Sequence, residues 1–245
     1  MFKNRLKNIT SFFVAITLAA TFSSCLDHDR DYYNVQGAGV AFINASPGSP
    51  DLKLIADGIY KPLPAPFAYD SSVGYLLAYP GYRVFGFAHH NSHDLIASQQ
   101  FYLKPGNAYS IFIADTAGEA KMFSFEDSLS IADSSNMAFI RFINMSPNSV
   151  SLDLSAGANK IFSNIVYGKG TEFTAIAPVS SASFTISENG QNTAIATIDS
   201  VELKKGGIYT LWARGYENTN ADSLKIGLKE VQNNESAKKQ SSWEQ

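Results

Sequence analysis

Beyond residue 37 the chain runs in short stretches of alternating apolar and polar residues, punctuated by Gly, Pro, Asn and Ser. A period of two is the pattern of a half-buried strand. It predicts a strand at Leu52 to Leu54, and β-rich runs between turn signals predict others at Val40 to Ile43, Arg83 to Ala88 and Tyr109 to Ala114. The second half repeats them at Ala138 to Ile143, Leu152 to Leu154, Ser183 to Ser187 and Tyr209 to Arg214. No long stretch with helical periodicity follows the N-terminal leader. Turn signals recur about every 8–12 residues, the spacing expected of a β-sandwich with roughly seven short strands.

The two halves are copies. Phe42-Ile43-Asn44-Ala45-Ser46-Pro47-Gly48-Ser49 returns as Phe142-Ile143-Asn144-Met145-Ser146-Pro147-Asn148-Ser149. From 42 to 54, eight of thirteen residues recur at an offset of 100, where chance gives about one. Leu103-Lys104-Pro105-Gly106 before Tyr109 returns as Leu203-Lys204-Lys205-Gly206 before Tyr209. The Asn-x-Ser-Pro step has a mechanical explanation. Asn and Ser side chains bond nearby backbone amides and Pro fixes φ, so the step turns the first strand toward the second.

The N-terminus is an address. Lys3, Arg5 and Lys7 precede an apolar stretch from Phe12 to Ala20, too short to span a bilayer, which needs about 20 residues. Phe22-Ser23-Ser24-Cys25 then resembles a bacterial lipobox, with Phe22 in place of the usual Leu. Cys25 is the sole cysteine, so it forms no internal disulfide. The resemblance implies cleavage before Cys25 and a stable anchor of several acyl chains. The acidic segment Leu26-Asp27-His28-Asp29-Arg30-Asp31 resembles the surface-export signal of Bacteroidetes lipoproteins. The expected location is the outer membrane, lipid-anchored and facing the cell surface, with retention on the periplasmic side as the alternative.

Composition narrows the function. The net charge of −3 and the lack of a basic cluster argue against nucleic acid. With 45% hydrophobic and 17% charged residues, the chain is globular. The histidines are His28, His89, His90 and His93; the last three, with Asp94, could offer metal ligands but read as a polar hairpin tip. No Gly-x-Ser-x-Gly elbow occurs, and Gly37-Ala38-Gly39 precedes a strand where a dinucleotide fingerprint would follow one. No catalytic residue, metal site or cofactor is expected.

The strand ending in Asn-x-Ser-Pro, the Leu-x-Leu strand and the Leu-Lys-x-Gly-x-x-Tyr strand together resemble the exported family called domain of unknown function 4397. Ala45-Ser46-Pro47 and Asp57-Gly58 fit its pattern in the first copy; the second has Met145 for Ala and lacks the Asp-Gly turn. The resemblance implies an immunoglobulin-like sandwich in each copy and no established activity.

These readings give an all-β chain of two tandem immunoglobulin-like β-sandwich domains after a lipoprotein signal peptide. The expected divisions are a signal peptide at 1–24, an acidic tether at 25–37 and domain 1 at 38–130. A linker at 131–136, domain 2 at 137–231 and a disordered tail at 232–245 follow. Aromatics distinguish the copies. Tyr69, Tyr75 and Phe85 recur as Tyr167, Phe173 and Phe184 and are expected in the core. Tyr60, Tyr79 and Tyr82 do not recur and form the candidate ligand surface. Thr116, Ser128, Ser200 and Ser223 follow Asp in a short motif resembling that of O-glycosylated Bacteroidetes proteins. The expected function is non-enzymatic: surface adhesion, assembly or ligand capture. The expected partners are the membrane, through Cys25, and a surface protein or glycan. The alternative is a glycan-binding accessory lipoprotein using the aromatics of domain 1.

Overall fold

The computed structural model describes residues 36–234, apart from 64, 93, 115–118 and 133–135. The expected signal peptide, Cys25, His28, His93, Thr116 and residues 235–245 lie outside the described residues.

The first copy has eight strands: β1 (Ala38–Asn44), β2 (Leu52–Ala56), β3 (Ile59–Lys61), β4 (Ser72–Ala78), β5 (Gly81–His89), β6 (Leu95–Leu103), β7 (Ala108–Ala114) and β8 (Lys121–Asp127). The second repeats them as β9 (Ala138–Asn144), β10 (Leu152–Ala156), β11 (Asn159–Ile165), β12 (Thr174–Ile176), β13 (Val179–Glu188), β14 (Ala194–Leu203), β15 (Ile208–Arg214) and β16 (Gly227–Gln232). Each copy is a sandwich of two four-stranded sheets. Their orders are β4-β1-β7-β8 with β3-β2-β5-β6, and β12-β9-β15-β16 with β11-β10-β13-β14. All neighbours are antiparallel except β1 with β7 and β9 with β15.

The repeated sequence signals become repeated hydrogen bonds. Asn44 is buried; its Oδ1 accepts from the Ser46 amide at 3.1 Å and its Nδ2 donates to the Phe67 carbonyl at 3.0 Å. Asn144 bonds Ser146 and the Ile165 carbonyl in the same way, both at 3.0 Å. The Asn side chain thus turns the strand and ties it to the opposite sheet. The hydroxyl of Tyr109 accepts from the Lys104 amide at 3.0 Å, and Tyr209 from Lys204 at 2.8 Å. These are tyrosine corners, a hallmark of immunoglobulin-type sandwiches. The Asp57-Gly58 hairpin has φ of 50° and 78°, and the second copy turns at the same place through Gly157 at 55°.

Each sandwich has its own core, built on Phe42, Leu54 and Phe85 in the first and Phe142, Leu154 and Phe184 in the second. A third apolar cluster joins them. Ile43, Ala45 and Phe112 meet their own counterparts Ile143, Met145 and Trp212. Phe112 and Trp212 lie edge to face at 5.6 Å. Hence β7 is buried at every residue and β15 at all but its last. Strands covered on both faces read as continuous apolar runs, which explains why AYSIFIA and IYTLWAR do not alternate.

Two expected divisions change. From sequence the tail begins at Gln232. In the structure β16 continues through Gln232, and the buried Asn233 donates to the Tyr75 hydroxyl at 3.0 Å and accepts from Thr210 at 2.7 Å. These buried hydrogen bonds hold a segment whose polarity suggested a tail. The boundary at 130–131 falls inside a 3-10 turn at Leu129–Ala132, whose Leu129 packs against Tyr75 and its neighbours.

Of the recurring aromatics, Phe85 and Phe184 are core as expected. The others serve the junction between the sandwiches. Tyr75 is buried with its hydroxyl on Asp127 at 2.7 Å. Tyr69 and Tyr167 are half-buried: Tyr69 accepts from Arg214 at 3.2 Å and Tyr167 packs edge to face on Phe123 at 5.4 Å. Phe173 lies 4.6 Å beneath the Arg141 guanidinium.

Candidate functional site

Along β5, Phe85 and Phe87 point into the core, so Tyr82, Val84 and Gly86 face outward. The register sets Tyr82 opposite Tyr102 of β6, their rings 5.0 Å apart at 61°. Tyr82 is 66% exposed and Tyr102 56%. Leu95, also exposed, lies over Gly86, where an added Cβ would meet its Cδ2 at 3.2 Å. Tyr60, 52% exposed, stands opposite Ile55, which pairs in turn with Gly86. Tyr60 and Tyr82 therefore share one sheet face, four residues apart along the strand, or about 13 Å.

Tyr79 is the most exposed of the three candidates at 77%, but it belongs elsewhere. It stands at a cleft of about 370 Å³ in the open side of the first sandwich, between the edge strands β3 and β4. Phe42, Leu54, Leu76 and Phe85 line the cleft, and Asp57, Lys61 and Arg83 are its charged groups. Asp57 Oδ1 accepts from the Val84 amide at 2.9 Å and Oδ2 from Arg83 at 3.0 Å. The Val84 bond, Arg83 and the nearby Lys61 charge hold its carboxyl below the ordinary value against a smaller upward push from burial. The candidate tyrosines thus divide between an outer sheet face and a cleft. Tyr102 and Leu95 were missed from sequence because only strand register places them on the face of Tyr82, whereas Val84 follows from the alternation along β5.

The second copy presents the same sheet face differently. Ser155 stands opposite Lys160 and Thr185. Thr185 meets Thr197 at 3.1 Å, and Ser183 donates to Asp199 at 2.6 Å. A polar face has replaced the aromatic one.

Ser128, Ser200 and Ser223 are exposed, and Ser200 occupies a left-handed bend at φ 62° in β14. The Asp before each has a structural partner: Asp127 pairs with Arg141 inside the molecule, Asp199 takes Ser183, and Asp222 takes Lys225 at 2.6 Å. His89 ends β5 and His90 begins the turn to β6. Among the described residues no group of three His, Cys, Asp or Glu converges on a metal position.

Two β-sandwiches built on one repeated set of turn and corner residues define the class of the protein. The family described as domain of unknown function (DUF4397) matches residues 38–153 and again 138–241, and the chain belongs to it. No curated protein matches the chain significantly. Among solved structures it is similar to a family 26 carbohydrate-binding module of Eubacterium rectale, seen with maltoheptaose. That match has 11% identity and a TM-score of 0.25, over 77% of this chain and 100% of the other. A family 41 carbohydrate-binding module of streptococcal virulence factors matches at 11% identity and TM-score 0.26, over 78% and 96%. A candidate cell adhesion protein of Bacteroides fragilis matches at 9% identity and TM-score 0.21, over 79% and 97%. At such scores the functional reading draws on the chain's own geometry.

Proposed function

We propose that the chain is a non-enzymatic adhesion or capture module of the cell envelope, anchored by lipid at Cys25. Its contact surface is the outer face of the first sandwich. One observation carries this reading: that face exposes Tyr60, Tyr82 and Tyr102 together with Val84 and Leu95, where the second copy folds with Ser, Thr, Lys and Asp. Residues the fold requires should recur in both copies, and these do not. Exposed aromatic and apolar side chains grouped on one face suit a protein contact.

Glycan binding is the second reading, favoured by the exposed tyrosine pair. The 61° angle between the rings gives an edge-to-face corner, whereas a sugar face stacks best on a flat platform. This geometry favours a protein partner. The test is binding of the full chain and its Tyr82→Ser/Tyr102→Ser variant to surface-protein extracts and to a glycan array. Loss of protein binding with an unchanged melting temperature is expected. Unchanged protein binding, or binding confined to glycans, would reject the leading reading.

A further inference from the structure

The cleft of the first sandwich is a place that the second copy closes with its own side chains. Strand register makes the comparison, across an irregularity in the second copy where Ile161 is passed over between the pairs Ser155–Lys160 and Leu154–Phe162. Lys61 stands opposite Leu54, and Phe162 stands opposite the equivalent Leu154. Phe85 faces Ala56 as Phe184 faces Ala156, so Arg83 occupies the place of Ala182. In the second copy Phe162 and Ala182 pack against the core, with Ile161 and Ile165 beside them. In the first copy the equivalent positions are cationic. There β3 ends at Lys61, where β11 continues to Ile165, and Pro62 and Pro66 carry the chain onward. The result is an apolar slot of about 370 Å³, within the size range of small-molecule sites.

The charges at the slot are unequal. Asp57 is engaged at both oxygens, by the Val84 amide and by Arg83. Arg83 Nε has no hydrogen-bond partner, and Lys61 makes no ion pair among the described residues. Two cations therefore stand at an apolar floor with one carboxylate already satisfied by Arg83, and among the described residues Lys61 is the cation of the two that makes no ion pair.

We infer that this cleft binds a small aryl-alkyl carboxylate, its ring in the place that Phe162 fills in the second copy and its carboxylate on Lys61 and Arg83. The ring replaces solvent over Phe42, Leu54 and Leu76, and the carboxylate takes charge-assisted hydrogen bonds from the two cations. The site is distinct from the outer tyrosine face, and the two can be lost separately.

The probes are 4-phenylbutyrate, the neutral 4-phenylbutan-1-ol and the cationic 4-phenylbutylamine, titrated into the full chain and followed by NMR. The carboxylate should bind at least tenfold more tightly than either analogue and shift the methyl signals of Leu76 and Leu77. Lys61→Phe, which copies the second domain, should weaken it at least tenfold. Arg83→Gln, with a milder effect on packing, should weaken it at least threefold while leaving the alcohol unchanged. The inference is overturned if the amine binds as well as the carboxylate, if shifts appear at Tyr82 and Tyr102 in place of the leucines, or if Arg83→Gln binds like the wild type. Tyr82→Ser/Tyr102→Ser should retain the carboxylate, which separates this site from the adhesive face.

Discussion

Arg141, in the first strand of the second sandwich, donates from its guanidinium to Asp127, in the last strand of the first. Both side chains are almost fully buried. The pair is embedded in shared hydrogen bonds. Arg141 also donates to Thr210 at 2.9 Å and to the Glu126 carbonyl at 3.1 Å, while Asp127 accepts from Tyr75 and from Ser110 at 2.8 Å. Burial first, and then the Asp127 charge, drive the Tyr75 phenol well above its ordinary value, so it remains a donor.

Removing one partner of this pair leaves the other charge buried without its counter-charge. Arg141→Met or Asp127→Leu should each cost about 3–5 kcal/mol, and the double variant should recover much of that loss. Urea melts of the three variants measure it. Additive losses would show that the two side chains do not act as a pair.

The tyrosine corners should matter equally in the two copies. Tyr109→Phe and Tyr209→Phe keep the buried rings but strand the amides of Lys104 and Lys204. Each should cost about 1–2 kcal/mol in a denaturant melt. A loss at only one position would mean that the other amide finds water as readily.

Asp153 sets an acid-side dependence in the second copy. Its buried carboxylate accepts from Lys160 at 2.6 Å, from the Asn164 amide at 2.8 Å and from the Gly190 amide at 3.1 Å. Burial pushes its carboxyl up, but these three donors outweigh that and hold it below the ordinary value of 3.8. A lowered folded value means stability that is fully present above 3.8 and lost as pH falls through the lowered value. Asp153→Asn should flatten this part of the pH profile. Glu217 works in the opposite sense: burial and then the neighbouring Glu188 raise it above 4.5, so its contribution declines as pH rises through that raised value. Melts of Asp153→Asn and Glu217→Gln across this acid range separate the two.

The proposed lipid anchor is placed at Cys25, the sole cysteine. Cys25→Ala should abolish palmitate labelling and move the protein from the membrane to the soluble fraction. Undiminished labelling in the variant would falsify lipidation at this residue.

The sequence by itself determined the duplication, the all-β class and the local devices that build each copy. Asn44 and Asn144 accept from the Ser46 and Ser146 amides two residues on, so their part in the turn is legible from spacing. Their bonds to the Phe67 and Ile165 carbonyls, and the corners made by Tyr109 and Tyr209, are seen only in the structure. Tyr60, Tyr79 and Tyr82 could be marked as exposed candidates because a duplicated fold shows which aromatics it can do without. Their grouping was decided by tertiary structure alone. Strand register joins Tyr82 to Tyr102, 20 residues away, and sends Tyr79 to the cleft. The joining of the sandwiches left only a faint trace: two mostly apolar strands that do not alternate and one arginine amid AFIRFIN. A charge in an apolar strand does not reveal its partner. Asp127 became that partner because the packing that sets Phe112 against Trp212 brought strands of two separate sheets into one buried interface.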